Sequence, residues 1–185
     1  MSDARHIVSV FGSSIPSKGA AEYQTAYELG KLLAQSQYVV CNGGYGGTME
    51  ASARGAREAQ GKTIGVVCRV FGASPNPFID ETFLTDTLNE RLLKLMEMGS
   101  AYVVLRGGTG TLLELAAVWE FMNKRMLDVR PIIVLGAFWS PLVASLSVEL
   151  RAEGRTAAAG YVREAGTPAE CVEMLRKLLP PTKRA

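Results

Sequence analysis

Val104-Leu105-Arg106-Gly107-Gly108-Thr109-Gly110-Thr111-Leu112-Leu113-Glu114 reads as the end of a buried strand, a glycine turn, and a helix that opens at Thr111 with Glu114 on its first turn. Glycines at 107, 108 and 110 remove β-carbons from the turn, so its backbone N–H groups can approach a ligand closely. The helix adds N–H donors without intrahelical partners and the positive end of its aligned peptide dipoles. Such a turn binds anions, phosphate above all. A carboxylate beside a phosphate cradle points to chemistry on a phosphorylated sugar. Taken alone, the stretch also fits a plain strand-to-helix turn whose Glu stabilises its own helix start.

The same alternation extends in both directions. Apolar runs at 7–11, 38–41, 62–67, 102–105 and 130–135 predict strands. Helical spacing of apolar residues predicts helices over 20–35, 48–60, 89–98, 112–123, 141–153 and 170–179. The stretch 71–86, with Pro75 and Pro77, reads as an irregular loop over the site. Strands that are apolar throughout and separated by helices imply a parallel sheet covered on both faces: an α/β, Rossmann-like, doubly wound fold. Ligands of such sheets bind at the carboxyl ends of the strands. Gly12-Ser13, Gly43-Gly44 with Gly47, and Gly107 to Gly110 all follow predicted strands, so the three turns should converge on one edge as a nucleotide cleft.

At 185 residues, the chain suits one domain over 1–185 with a polar tail from about residue 180. An apolar fraction of 48% and a charged fraction of 21% are those of a soluble globular protein. A net charge of +2, with no basic stretch interleaved with aromatics, argues against a nucleic-acid partner. No run approaches membrane-spanning length, and the first residues, Met1 to His6, carry no apolar signal. Cys41, Cys68 and Cys171 lack metal-ligand spacing. Cys41 and Cys68 end apolar runs as reduced thiols would, so a cytoplasmic location is expected.

Arg91, on the helix before strand 102–105, could clamp a phosphate or a ribose hydroxyl with its planar fork, or it could simply be solvated. Glu50 could contact a ligand, although stabilising its own helix is the stronger reading. His6 reads as structural or exposed. Trp119, Phe121 and Trp139 suit the core or a subunit interface, and Met122 and Met126 suit a subunit contact.

Together these residues resemble the Lonely Guy family, long filed as lysine-decarboxylase-like proteins. Gly107-Gly108-Thr109-Gly110-Thr111-Leu112-Leu113-Glu114 matches the family's P-G-G-x-G-T-x-x-E signature after its proline, and Glu90-Arg91 falls on its E-R pair. Val10-Phe11-Gly12-Ser13-Ser14 is similar to its F-G-S-S strand end, and Asn42 to Ala51 to its first Gly-rich loop. The resemblance implies a Rossmann-like sheet, a homodimer or larger homo-oligomer, and hydrolysis of the N-glycosidic bond of nucleoside 5′-monophosphates, cytokinin ribotides included. It assigns Arg91 and Glu114 as the catalytic pair and Gly107, Gly108, Gly110 and Thr111 to the 5′-phosphate. No metal or redox cofactor is implied, and nothing marks the pyridoxal-phosphate lysine a decarboxylase would need.

Arg106 replaces the signature's proline, Thr109 its usual tyrosine, Leu113 the first of two glutamates, and Leu92 the lysine after the arginine. The loop ending Met49-Glu50-Ala51 is closer to a sister branch that includes molybdenum-cofactor-carrier-like proteins. Two readings follow: a phosphoribohydrolase, or a non-catalytic carrier of a nucleotide or the molybdenum cofactor.

Overall fold

The apolar runs become the inner strands of one parallel sheet. In chain order the strands are β1 (Ile7–Phe11), β2 (Val39–Asn42), β3 (Thr63–Cys68), β4 (Glu81–Thr85), β5 (Ala101–Val104), β6 (Ile132–Leu135) and β7 (Val162–Ala165). Between and after them lie α1 (Ala21–Gln35), α2 (Thr48–Glu58), α3 (Leu88–Met98), α4 (Thr109–Asn123), α5 (Ser140–Ala152) and α6 (Pro168–Leu178). The structure, a computed structural model, describes residues 5–72 and 74–179; the expected polar tail lies outside them.

The strand order is β4-β3-β2-β1-β5-β6-β7, and every pairing is parallel. The chain therefore winds outward from β1 to β4, returns to place β5 against the free side of β1, and winds out the other way. This reversal between β1 and β5 opens a crevice at their carboxyl ends, where the opening glycine turn sits.

Two apolar cores flank the sheet. Val8, Val10, Val40, Val103 and Ile133 meet Leu29, Leu33 and Leu175 on one face. Phe11, Cys41, Val66, Tyr102 and Val134 meet Leu95, Leu115, Val118, Trp119 and Val143 on the other. Trp119 and Trp139 are both buried, and their indole N–H groups donate to the carbonyls of Ala158 and Leu105. Met122, expected at a subunit contact, is instead part of the second core, whereas Met126 is exposed. All three cysteines are buried free thiols. No helix among the described residues is long and apolar enough to cross a membrane.

Two strands correct the expectation. The segment 71–86 does not stay irregular: its last part forms β4, paired with β3 from Glu81 to Thr85. β7 had no counterpart in the sequence reading. Both are edge strands with exposed residues, Glu81, Thr82 and Leu84 in one and Arg163 and Glu164 in the other. Edge strands need no continuous apolar run, whereas strands buried on both faces do.

Helices α1 and α2 touch backbone to backbone. A Cβ on Gly30 would overlap the Ser52 carbonyl, and one on Gly55 would overlap the Tyr27 carbonyl. Gly30→Ala should therefore push α2 outward and cost about 1–3 kcal/mol as overpacking. Urea unfolding should show a lower midpoint with an unchanged slope; an unchanged midpoint would mean that the helices separate freely.

Candidate functional site

Arg91 reaches the crevice because α3 is fixed at both ends. Thr87 caps the helix by accepting from the Glu90 N–H, and the Glu90 carboxylate accepts from the Asp86 N–H. That reciprocal box fixes the start of the helix. At the other end, the Arg130 guanidinium lies within hydrogen-bond distance of the Met96, Glu97 and Gly99 carbonyls, at 2.6–3.0 Å. A cation among the last carbonyls offsets the negative end of the helix. The Glu90-Arg91 pair thus divides: Glu90 is an exposed helix cap, and Arg91, 8% exposed, points inward.

Arg91 Nε donates to the Val66 carbonyl at 2.9 Å, and Nη1 lies 3.7 Å from Glu114 Oε1. Nη2 faces the Met49 sulfur at 3.9 Å, and the guanidinium carbon stands 5.7 Å from the Tyr45 ring centre. A Cβ on Gly43 would overlap Nη2, so the glycine loop after β2 leaves room for this cation.

The loop is held by Asn42, which is completely buried. Its side-chain amide donates to the Met49 carbonyl and the Ser52 hydroxyl, and its carbonyl accepts from the Gly44 N–H. Gly47 caps α2 at φ +67°, where side chains are strained, and a Cβ there would also overlap the Ser13 carbonyl. The Thr48 N–H and hydroxyl both donate to that carbonyl, tying the turn after β1 to the start of α2.

Helix α4 begins at Thr109, two residues earlier than expected, and Glu114 is therefore on its second turn. Starting earlier brings Thr109, Gly110 and Thr111 into the turn whose N–H groups lack intrahelical partners. Glu114 lies four residues below Gly110, on the same face of the helix. Its side chain is 13% exposed. Burial pushes its carboxyl up from an ordinary 4.5 to about 7, while the charge of Arg91 pulls it part of the way back.

These groups surround a cavity of about 550 Å³. Gly12, Ser13, Gly43, Arg91, Gly108, Thr109, Gly110, Thr111 and Glu114 line it, as expected from the convergence of the three turns. Gly44, Gly47 and Gly107 shape the turns without lining it. Glu50 lies outside: its carboxylate accepts from the Tyr23 hydroxyl at 2.9 Å and stands 3.9 Å from Lys18. Sequence reading missed Ser14, Tyr45, Met49 and Phe71 in the lining. Tyr45, inside the glycine loop, was the detectable one, because an aromatic between two glycine pairs has no turn-forming reason to be there.

The chain matches the model of the SLOG cluster4 family, LDcluster4, over residues 5–156. It belongs to that family. A cytokinin riboside 5′-monophosphate phosphoribohydrolase of Rhodococcoides fascians is 28% identical over 145 residues, 74% of this chain and 72% of the relative. One from Mycobacterium tuberculosis is 34% identical over 115 residues, 60% of this chain and 61% of the relative. Among solved structures, the molybdenum cofactor binding protein of Rippkaea orientalis superposes with a TM-score of 0.73 at 24% identity, covering 95% of this chain and 98% of its own. The SLOG family match and these relatives fit the Lonely Guy resemblance, with its molybdenum-cofactor-carrier-like branch.

Glu114 also makes stability depend on pH. Between about pH 4.5 and 7, the folded chain holds a proton on Glu114 that the unfolded chain has released. Stability from this group therefore falls as pH rises through that window. Glu114→Gln stays neutral throughout. Its stability relative to the parent should climb from pH 4.5 and level off above pH 7, at a gain on the order of 3 kcal/mol. Denaturant curves for both proteins at several pH values test this; parallel pH profiles would place Glu114 in water.

Proposed function

We propose that the chain hydrolyses the N-glycosidic bond of a nucleoside 5′-monophosphate, giving a free base and ribose 5-phosphate. The observation that carries this reading is the order of groups along the cavity. The N-terminus of α4 lies at one end, and the Arg91–Glu114 pair sits one helical turn deeper. A phosphate on the N–H groups of Gly108 to Thr111 would place the ribose against Glu114.

Departure of the base leaves positive charge on the ribose C1′ and its ring oxygen. The Glu114 carboxylate opposes that charge and takes a proton from the attacking water. The water oxygen bonds to C1′ as the C1′–N bond breaks. The bonding electrons leave with the base, which gains a proton. Arg91 holds the carboxylate by charge and offers Nη groups to the phosphate or to ribose oxygens. The hydrolase-named relatives support this chemistry.

Purified protein with AMP, GMP, CMP, UMP and a prenylated AMP should release free base from at least one, followed by chromatography. Glu114→Gln should lower turnover by about a hundredfold or more, the scale of losing a general base. Because the carboxylate is the active form, kcat/KM should rise with pH through about 7. Saturable binding without base release would make the chain a carrier instead.

A further inference from the structure

Beyond the phosphate and the reacting bond, the cavity has a third part that neither reading assigns. The Tyr45 ring presents itself to the Arg91 guanidinium at 5.7 Å, and Phe71 stands perpendicular to Tyr45 with ring centres 6.3 Å apart. Both rings line the cavity, and Phe71 is 56% exposed. An exposed phenylalanine is unremarkable alone. This one is held in place. The Tyr45 hydroxyl accepts from the Cys68 N–H at 2.7 Å and lies 3.0 and 2.9 Å from the carbonyls of Cys68 and Gly72. Those contacts bracket the 3₁₀ turn Arg69–Phe71 that carries the ring.

Resting on the proposed function, we infer that Phe71, backed by Tyr45, is the stacking platform for the base. The contacts run in series from the α4 N-terminus through Glu114, Arg91 and Tyr45 to Phe71. A nucleoside monophosphate has the same series: phosphate, ribose, glycosidic bond, base. With the phosphate at α4 and the bond at Glu114, the base falls at the aromatic end.

That end recognises a π-face rather than an edge pattern. Among the described residues lining it, Phe71 and Met49 carry no strong hydrogen-bonding group, and the Tyr45 hydroxyl is committed to the 3₁₀ turn. Stacking on an aromatic face tolerates any base and grows with overlap. The ligand class is therefore a phosphate monoester bearing a flat bicyclic heterocycle, with adenine and guanine scarcely distinguished and single-ring bases weaker.

Equilibrium binding to Glu114→Gln, which keeps ligands intact, tests the assignment with AMP, GMP, CMP, UMP and ribose 5-phosphate. AMP and GMP should bind within about threefold of each other and more tightly than CMP, UMP or ribose 5-phosphate. Adding Phe71→Ala should weaken AMP about ten- to a hundredfold and leave ribose 5-phosphate unchanged; Phe71→Trp should restore AMP. AMP affinity unmoved by Phe71→Ala, or equal affinities for AMP and ribose 5-phosphate, would overturn the platform and leave the phosphate site standing. If neither AMP nor ribose 5-phosphate binds, the platform and the nucleotide reading fall together. AMP binding sensitive to Phe71, with no base release by the parent protein, would keep the platform and remove only the hydrolase.

Discussion

A guanidinium buried at the edge of the sheet constrains everything around it. Taking a charge out of water costs several kcal/mol unless partners replace its hydration. Arg91 has one close acceptor, the Val66 carbonyl, and its carboxylate partner stands off at 3.7 Å. The remaining neighbours are a thioether and the face of a tyrosine, which are weak substitutes for water. The fold nevertheless keeps Arg91 there, with a capping box at the start of α3, a cation among the last carbonyls, and a glycine cleared of its path. A cation held so firmly, with its carboxylate partner at 3.7 Å, keeps positive charge at the edge of the cavity.

Glu114 shows the same economy from the opposite sign. Ionised, it would complete the Arg91 pair, but its burial opposes ionisation strongly enough to set the balance near neutral pH. The charge of Arg91 thus moderates the effect of burial on Glu114 without cancelling it. The helix that carries Glu114 also supplies the N–H groups one turn above. The distance between those N–H groups and the carboxylate is therefore set by a single rigid element, and the proposed phosphate and ribose would inherit that spacing.

Much of this was legible in the chain. Inner strands such as Val39–Asn42 and Ile132–Leu135 are apolar on both faces, and that continuity named the parallel sheet. β4 and β7 escaped because an edge strand carries exposed residues and lacks a continuous apolar run, and because Pro75 and Pro77 made the whole stretch before β4 look irregular. Arg91, Glu114 and the glycine turns were identifiable by type and spacing. Phe71 was not: its role depends on a hydroxyl 26 positions away, on Tyr45, gripping the turn that carries it. No local pattern encodes a contact of that kind.

The departures from the family signature also change meaning once placed in space. The Arg106 guanidinium turns away, to Glu22 at 3.5 Å and to the Phe138 ring at 5.0 Å. Leu113 is exposed at 44%, and Leu92 packs against the core beneath the sheet. None of these three lines the cavity; Thr109 alone does. Threonine in place of the signature's tyrosine puts a smaller side chain at the first residue of α4 and leaves the backbone N–H in place. The Arg91–Glu114 pair, to which the proposed chemistry is assigned, is untouched by all four changes. Of the four departures, only Thr109 therefore touches the cavity, and it does so at the first turn of α4, away from Arg91 and Glu114.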